Sequence, residues 1–147
     1  MVQPLRPWQK SVRNLLRCQD DRRILWICDT EGNTGKTYLG NYLMCEGAYV
    51  IEGGSTKDIA FSYQGQEYVV IDLCRSQEQY VNYHVMECFK NGRLFSPKYE
   101  SRVKQFNPVK VIVFSNFFPE WTKLSLDRWE CLEIVNDKLK IRYPCEV

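Results

Sequence analysis

Three consecutive stretches restrict this chain more than anything else in it. Ile24-Leu25-Trp26-Ile27-Cys28 is an apolar run of strand length. Gly32-Asn33-Thr34-Gly35-Lys36-Thr37 is a glycine-bearing loop that ends in Gly-Lys-Thr. Tyr38-Leu39-Gly40-Asn41-Tyr42-Leu43 reads as the body of a helix. Strand, glycine loop, Gly-Lys-Thr and helix in that order are the layout of a phosphate-binding loop. Glycines let backbone N–H groups turn inward around phosphate oxygens. Lys36 supplies a point charge for the β/γ-phosphates of a nucleotide, the Thr37 hydroxyl is a Mg²⁺ ligand, and the helix that starts near Lys36 aims its positive end at the anion. Gly32 to Thr37 is therefore the expected ATP-binding segment. It departs from the general pattern at one position, where Thr30 stands in place of the first glycine.

A length of 147 residues suits about one domain with a core of its own. The net charge of +2 gives no bulk signal for nucleic acid, so any basic surface has to be local. Seven cysteines, an odd number without a C-x-x-C pair, argue against a disulfide framework or a zinc site and fit an intracellular protein. Cys28 and Cys74 lie in or beside apolar runs and are expected to act as small buried hydrophobes. No apolar run approaches the ~18 residues of a membrane span, and the N-terminus lacks the apolar stretch of a secretory signal.

Further along, apolar periodicity predicts a helix over Pro7 to Arg17, with Pro7 early and Val12, Leu15 and Leu16 on one face. A first strand is expected over Arg23 to Cys28, and the helix after the glycine loop ends near Gly47. A short strand follows over Ala48 to Ile51, then a short helix over Thr56 to Tyr63 capped by Ser55 or Thr56. Tyr68 to Leu73 is a continuous apolar run with one carboxylate. Gln77 to Lys90 reads as one helix with Tyr80, Val81, His84, Val85 and Cys88 on a stripe, stopped by Asn91-Gly92. Val109 to Phe114 and Cys131 to Val135 are further strands. Such alternation, with strands apolar on both faces, predicts an α/β fold around a mainly parallel sheet covered by helices on both faces.

Asp72 closes the Tyr68 strand, which is expected to lie beside the phosphate-loop strand. Its carboxylate then sits at the carboxyl edge of the sheet, where open α/β sheets bind nucleotides, and can hold Mg²⁺ or its waters. The neighbouring position is Leu73 rather than a second acid, and Glu78 and Glu87 on the next helix are the nearest alternatives in sequence. Val111 to Ser115 ends in Asn116, whose carboxamide can bond a γ-phosphate or an attacking water without adding charge. Arg128 follows Asp127. Taken alone the two read as a surface ion pair, and in a ring Arg128 could reach a neighbour's nucleotide. Lys98, Arg102 and Lys104, with Tyr99 among them, form a basic segment with an aromatic between turn signals, suited to tracking phosphates and stacking on a base. Trp8, Arg13 and Tyr143 are the candidates for an adenine pocket.

With these residues in place the chain resembles a superfamily 3 helicase, and more closely the helicase domain of replication-associated (Rep) proteins of circular single-stranded DNA viruses, of the nanovirus and alphasatellite kind. The resemblance is carried by Arg6-Pro7-Trp8-Gln9, Arg23-Ile24-Leu25-Trp26, Gly32 to Thr37, Lys57 to Phe61, Tyr80 to Tyr83, Phe89-Lys90-Asn91-Gly92, Lys98 to Ser101, Val111 to Phe117 and Ser125-Leu126-Asp127-Arg128. It implies an AAA+-like P-loop NTPase fold, ATP and Mg²⁺ as cofactors, and single-stranded DNA as a partner. It also implies a homo-oligomeric ring, a hexamer, in the host nucleus, without membrane attachment. Lys36, Asp72, Asn116 and Arg128 match the catalytic positions, with Thr37 and Asp72 on the metal. Lys98 matches a pore-facing basic residue, and Arg128 an arginine finger supplied to a neighbouring subunit.

The implied organisation is an N-terminal helix or oligomerisation segment over residues 1–20 and the ATPase/helicase domain over residues 21–147. The endonuclease that usually accompanies such a domain carries a His-x-His motif. This chain has a single histidine, His84, expected to be packed or half-buried. The endonuclease is thus expected to be absent, and the chain alone is not expected to nick or join DNA. Two other classes fit the residues: a P-loop kinase for a small metabolite or nucleotide, and a non-enzymatic oligomerising DNA-binding module whose nucleotide site is degenerate at Thr30 and Leu73.

Overall fold

A computed structural model describes residues 4–96 and 102–143. Its centre is a six-stranded sheet built from the apolar runs. The strands are β1 (Ile24–Cys28), β2 (Tyr49–Ile51), β3 (Tyr68–Asp72), β6 (Lys110–Ser115), β7 (Trp129–Val135) and β8 (Lys138–Tyr143), in the spatial order β2-β3-β6-β1-β7-β8. All neighbours pair in parallel except β7 and β8, which are antiparallel. The fold is thus α/β with a mostly parallel sheet, as the alternation of elements predicted. One expectation needs correction: the Asp72 strand does not lie beside the phosphate-loop strand, because β6 pairs with both and separates them. Strands buried on both faces look alike in sequence, so their apolar content does not reveal their neighbours.

Side chains alternate across the sheet and build two cores. Leu25, Ile27, Val70, Ile112 and Phe114 face α1 (Pro7–Arg17) and α2 (Lys36–Cys45), which contribute Trp8, Val12, Leu16, Leu39 and Leu43. Trp26, Val69, Ile71, Leu73, Val111 and Val113 face α3 (Thr56–Ser62) and α4 (Tyr83–Asn91), with Ile59, Val85, Met86 and Phe89. Trp26 lies at the centre of this second core, edge-on to Trp129 and Phe117 at 5.7 and 6.0 Å. Its buried indole N–H donates to Phe117 O at 3.0 Å, so the ring is buried without an unpaired donor.

Three local expectations change. The helix expected over Gln77 to Lys90 is broken: Arg75–Tyr80 forms a 3₁₀ helix, Val81 is extended, and α4 starts afresh. Asn82 causes the restart, its Oδ1 accepting from Val85 N at 3.0 Å as an N-cap. The break takes Tyr80 off the buried stripe and leaves it 80% exposed. His84 is exposed, with Nε2 3.4 Å from Cys88 Sγ, and Cys74 is exposed while Cys28 is buried. β8 has no counterpart in the sequence reading. It is reached through the tight turn Asn136-Asp137, both at positive φ, and its alternating Lys138, Lys140 and Arg142 suit a solvated edge strand. Among the described residues no helix is long and apolar enough to cross a membrane.

The amino edge of the sheet is braced by Phe89-Lys90-Asn91-Gly92. Phe89 is core. Lys90 is 3% exposed, its ammonium donating to Gln19 Oε1, Asp20 O and Val109 O at 2.9, 2.9 and 3.0 Å, while burial pushes its pKa down to about 8. Asn91 Oδ1 accepts from Arg128, and Gly92 ends α4 at φ +80. A separate antiparallel pair, β4 (Arg93–Ser96) and β5 (Arg102–Gln105), follows α4 and leaves Phe95 and Val103 exposed side by side.

Candidate nucleotide site

β1 delivers the chain to the carboxyl edge at Asp29, which is fully buried. Its Oδ1 accepts from the backbone N–H of Glu31 and Gly32 at 3.2 and 2.9 Å, and its Oδ2 accepts from the Thr34 hydroxyl at 2.6 Å. One carboxylate therefore ties the start of the loop to its end. Gly32, Asn33 and Gly35 adopt φ of +82, +58 and +97, the left-handed region that glycine enters freely and asparagine tolerates. Gly35 is also the N-cap residue of α2, so the first free N–H groups of that helix open directly onto the loop.

Lys36 is the first residue of α2. Its ammonium donates to Ser115 O at 3.1 Å and lies 3.9 Å from Asp29 Oδ2, with 11% of the side chain exposed. Burial lowers its pKa from the ordinary lysine value, opposed by the carboxylates of Asp29 and Asp72. Thr37, in the first turn, is exposed. Asn116 follows β6 and donates from Nδ2 to Asp29 O at 2.9 Å. Asp72 is half-buried; burial raises its pKa above the usual carboxylate value, Lys36 opposes the rise and Glu52 adds to it. Face alternation explains this convergence. Ile27, Val70 and Phe114 belong to the α2-side core, and Asp29, Asp72 and Asn116 lie two residues further on along the same face.

The sequence reading passed over Asp29 and Glu52. Asp29 has a local signal, an acid at a strand end before a glycine turn, which commonly accepts backbone N–H groups. Glu52 has none, because only the strand register reveals it. Val50 pairs with Val70 and packs on the α2-side core, so Glu52 and Asp72 are the next same-face pair at the carboxyl edge. Leu73 points the other way, into the α4-side core. Thr30 bonds Glu133 Oε2 at 2.9 Å, and Glu133 is in turn held by Arg142 Nε at 2.7 Å.

Other expected site residues lie elsewhere. Arg128 sits at the amino edge, since Ile24 and Trp129 open the parallel pair of β1 and β7. It is 5% exposed, with Nη1 donating to Arg22 O at 3.1 Å and Nη2 to Asn91 Oδ1 at 2.8 Å. Nor does it pair with Asp127, whose carboxylate binds the Arg22 guanidinium at 2.8 and 2.9 Å. Lys104 Nζ donates to Tyr63 O at 2.9 Å, at the end of α3. Lys98 and Tyr99 lie outside the described residues, as does the side chain of Arg102. The adenine candidates form no common pocket: Trp8 is buried, Arg13 binds Glu46, and Tyr143 stacks on Trp121 at 5.2 Å.

A mostly parallel α/β sheet with a glycine loop, a lysine and a strand-end carboxylate at its carboxyl edge is consistent with a P-loop-like protein. Its relatives are viral replication proteins. The chain is 46% identical over 123 residues to the master replication protein of subterranean clover stunt virus, a match that covers 83% of this chain and 43% of the relative. It is 38% identical over 122 residues to the master replication protein of banana bunchy top virus, covering 82% and 43%. It is 37% identical over 139 residues to Para-Rep C7 of the faba bean necrotic yellows C7 alphasatellite, covering 90% and 48%. The chain thus spans less than half the length of these relatives. No family model matches it.

Proposed function

We propose that this chain is the ATP-driven motor of a viral rolling-circle replication initiator, hydrolysing ATP and moving on single-stranded DNA. The observation that carries the proposal is the Lys36 ammonium at the N-terminus of α2, inside a loop at positive φ and drawn toward Asp29 and Asp72. The kinship with master replication proteins supports it. In this reading the loop amides and Lys36 hold the β/γ-phosphates, and Thr37 and Asp72 hold Mg²⁺. Asn116 reports the γ-phosphate, exchanging its bond to Asp29 O for one to the nucleotide. Glu52 supplies the second carboxylate that position 73 lacks and orients the attacking water. A homo-oligomeric ring, a hexamer, acting in the host nucleus follows from the Rep resemblance. The basic segment of Lys98, Tyr99, Arg102 and Lys104 is the proposed DNA contact.

The deciding experiment is magnesium-dependent phosphate release from ATP, with and without single-stranded DNA. Turnover that DNA stimulates supports the motor. Bound but intact ATP points instead to an oligomerising DNA-binding module, and turnover that rises only with a phosphoacceptor points to a kinase.

An arginine-finger role for Arg128 requires its guanidinium to leave Arg22 O and Asn91 Oδ1 and reach a neighbour. Arg128→Ala strands both acceptors and is expected to lower stability by about 2–4 kcal/mol, read from the urea midpoint. Mixing Arg128→Ala with Lys36→Ala then separates strut from finger. Hydrolysis recovered in mixed oligomers supports a finger in trans. Normal hydrolysis by folded Arg128→Ala alone leaves only the strut.

A further inference from the structure

α1 does more than cover the sheet, because its first turn grips the phosphate loop by the backbone. Arg6 Nη1 donates to Thr34 O at 2.8 Å, Trp8 Nε1 to the same oxygen at 3.2 Å, and Gln9 Nε2 to Gly35 O at 2.9 Å. Gln9 is itself fixed by the capping box, its Oε1 accepting from Arg6 N at 2.7 Å. Trp8 and Gln9 are each 2% exposed, and Thr34 is 8% exposed. The approach is close enough that a Cβ on Gly35 would lie 2.8 Å from Gln9 Nε2. Gly35 is thus required by its φ of +97, and a Cβ there would also displace the Gln9 amide from its place.

The carbonyls gripped are those of the two peptides that precede Lys36. In a planar trans peptide the C=O and the next N–H point in opposite directions. Drawing Thr34 O toward α1 therefore turns the N–H of Gly35 away from it, toward the mouth of the loop, while Gly35 O is held jointly by Gln9 and by Leu39 N of α2 at 3.2 Å, which fixes the N–H of Lys36 in the same sense. Asp29 secures the first half of the loop through Gly32 N and the Thr34 hydroxyl, and α1 secures the second half.

We infer that Arg6, Trp8 and Gln9 are positioning residues that hold the Gly35 and Lys36 amides in their phosphate-binding orientation before any nucleotide arrives. The inference rests on the nucleotide reading given above. It also makes α1 a handle: whatever displaces this helix loosens phosphate binding without touching the site.

The test is the affinity for pyrophosphate and for ADP, each in the presence of Mg²⁺, measured by calorimetry on wild type, Trp8→Phe and Gln9→Glu, alongside thermal midpoints. Trp8→Phe keeps an aromatic ring and removes the N–H. Gln9→Glu keeps the size and the acceptor for Arg6 N but loses the donor to Gly35 O. Each variant is expected to bind both ligands about five- to tenfold more weakly, with the loss as large for pyrophosphate as for ADP, because the amides see only phosphate. Wild-type affinity for pyrophosphate in a folded Trp8→Phe overturns the inference and leaves the nucleotide site intact, as does a loss confined to ADP. If wild type binds neither ligand, the nucleotide reading fails and the inference with it. Should Gln9→Glu fail to fold, Trp8→Phe alone decides.

Discussion

Lys36→Ala is expected to lower ATP turnover by about 10²-fold or more. The ammonium lies 3.9 Å from Asp29 Oδ2 and is stabilised by the Asp72 carboxylate as well, and in the proposed reading a methyl group leaves the transferred phosphate without its compensating charge. From sequence alone an exposed loop lysine carries little stability, but here the side chain is 11% exposed and bonded to Ser115 O. A modest loss of stability, about 1 kcal/mol for one hydrogen bond, is therefore expected beside the catalytic loss. The loop itself should survive, since Asp29 and α1 hold it independently of Lys36. Phosphate release and a denaturant curve on the same preparation separate the two effects. Undiminished turnover in a folded Lys36→Ala would sink the phosphate-loop assignment.

Gly92→Ala is expected to be the most destabilising single-methyl change in the described chain, at about 3 kcal/mol or more. Gly92 ends α4 at φ +80, a region in which any Cβ is strained. The added atom would also stand 2.4 Å from Phe106 O, a backbone atom that cannot rotate away. Phe106 N donates to Gly92 O at 2.9 Å, so the two backbones cannot separate without losing that bond. Urea unfolding measures the effect. A wild-type midpoint would show that the Phe106 segment yields at little cost.

The sequence was most informative where one residue type has one physical use. Pro7 at the first turn and the apolar spacing of α1 located that helix over Pro7–Arg17, and Gly-Lys-Thr after an apolar run located the loop between β1 and α2. Asp72 and Asn116 stood out because strand-end polar residues after buried runs are conspicuous. Information was lost where the deciding contact is distant. β8 alternates Lys138, Leu139, Lys140 and Ile141 at a solvated edge and has no apolar run to announce it. The order of β1, β6 and β3 depends on pairing that equally apolar strands do not encode. Arg128 read as a surface ion pair with Asp127, or as a finger for a neighbour, because nothing nearby in sequence shows that Asn91 and the Arg22 carbonyl enclose it. Glu52 was hidden for the same reason, its relation to Asp72 existing only through the register of β2 on β3.

The neighbours of Lys36 bear on the charge of the proposed site. The Lys36 ammonium lies 3.9 Å from Asp29 Oδ2 and is balanced further by the Asp72 carboxylate, with Arg75 a second cation within electrostatic reach. In the proposed nucleotide reading, a bare polyphosphate meets the carboxylates of Asp29 and Asp72 with Lys36 already engaged, whereas a nucleotide that brings its own divalent cation would arrive with much of its charge cancelled and a ligand for Asp72 attached. On that reading the metal would be as much a condition of entry as an assistant to the reaction, and the site would favour the chelate over the free anion.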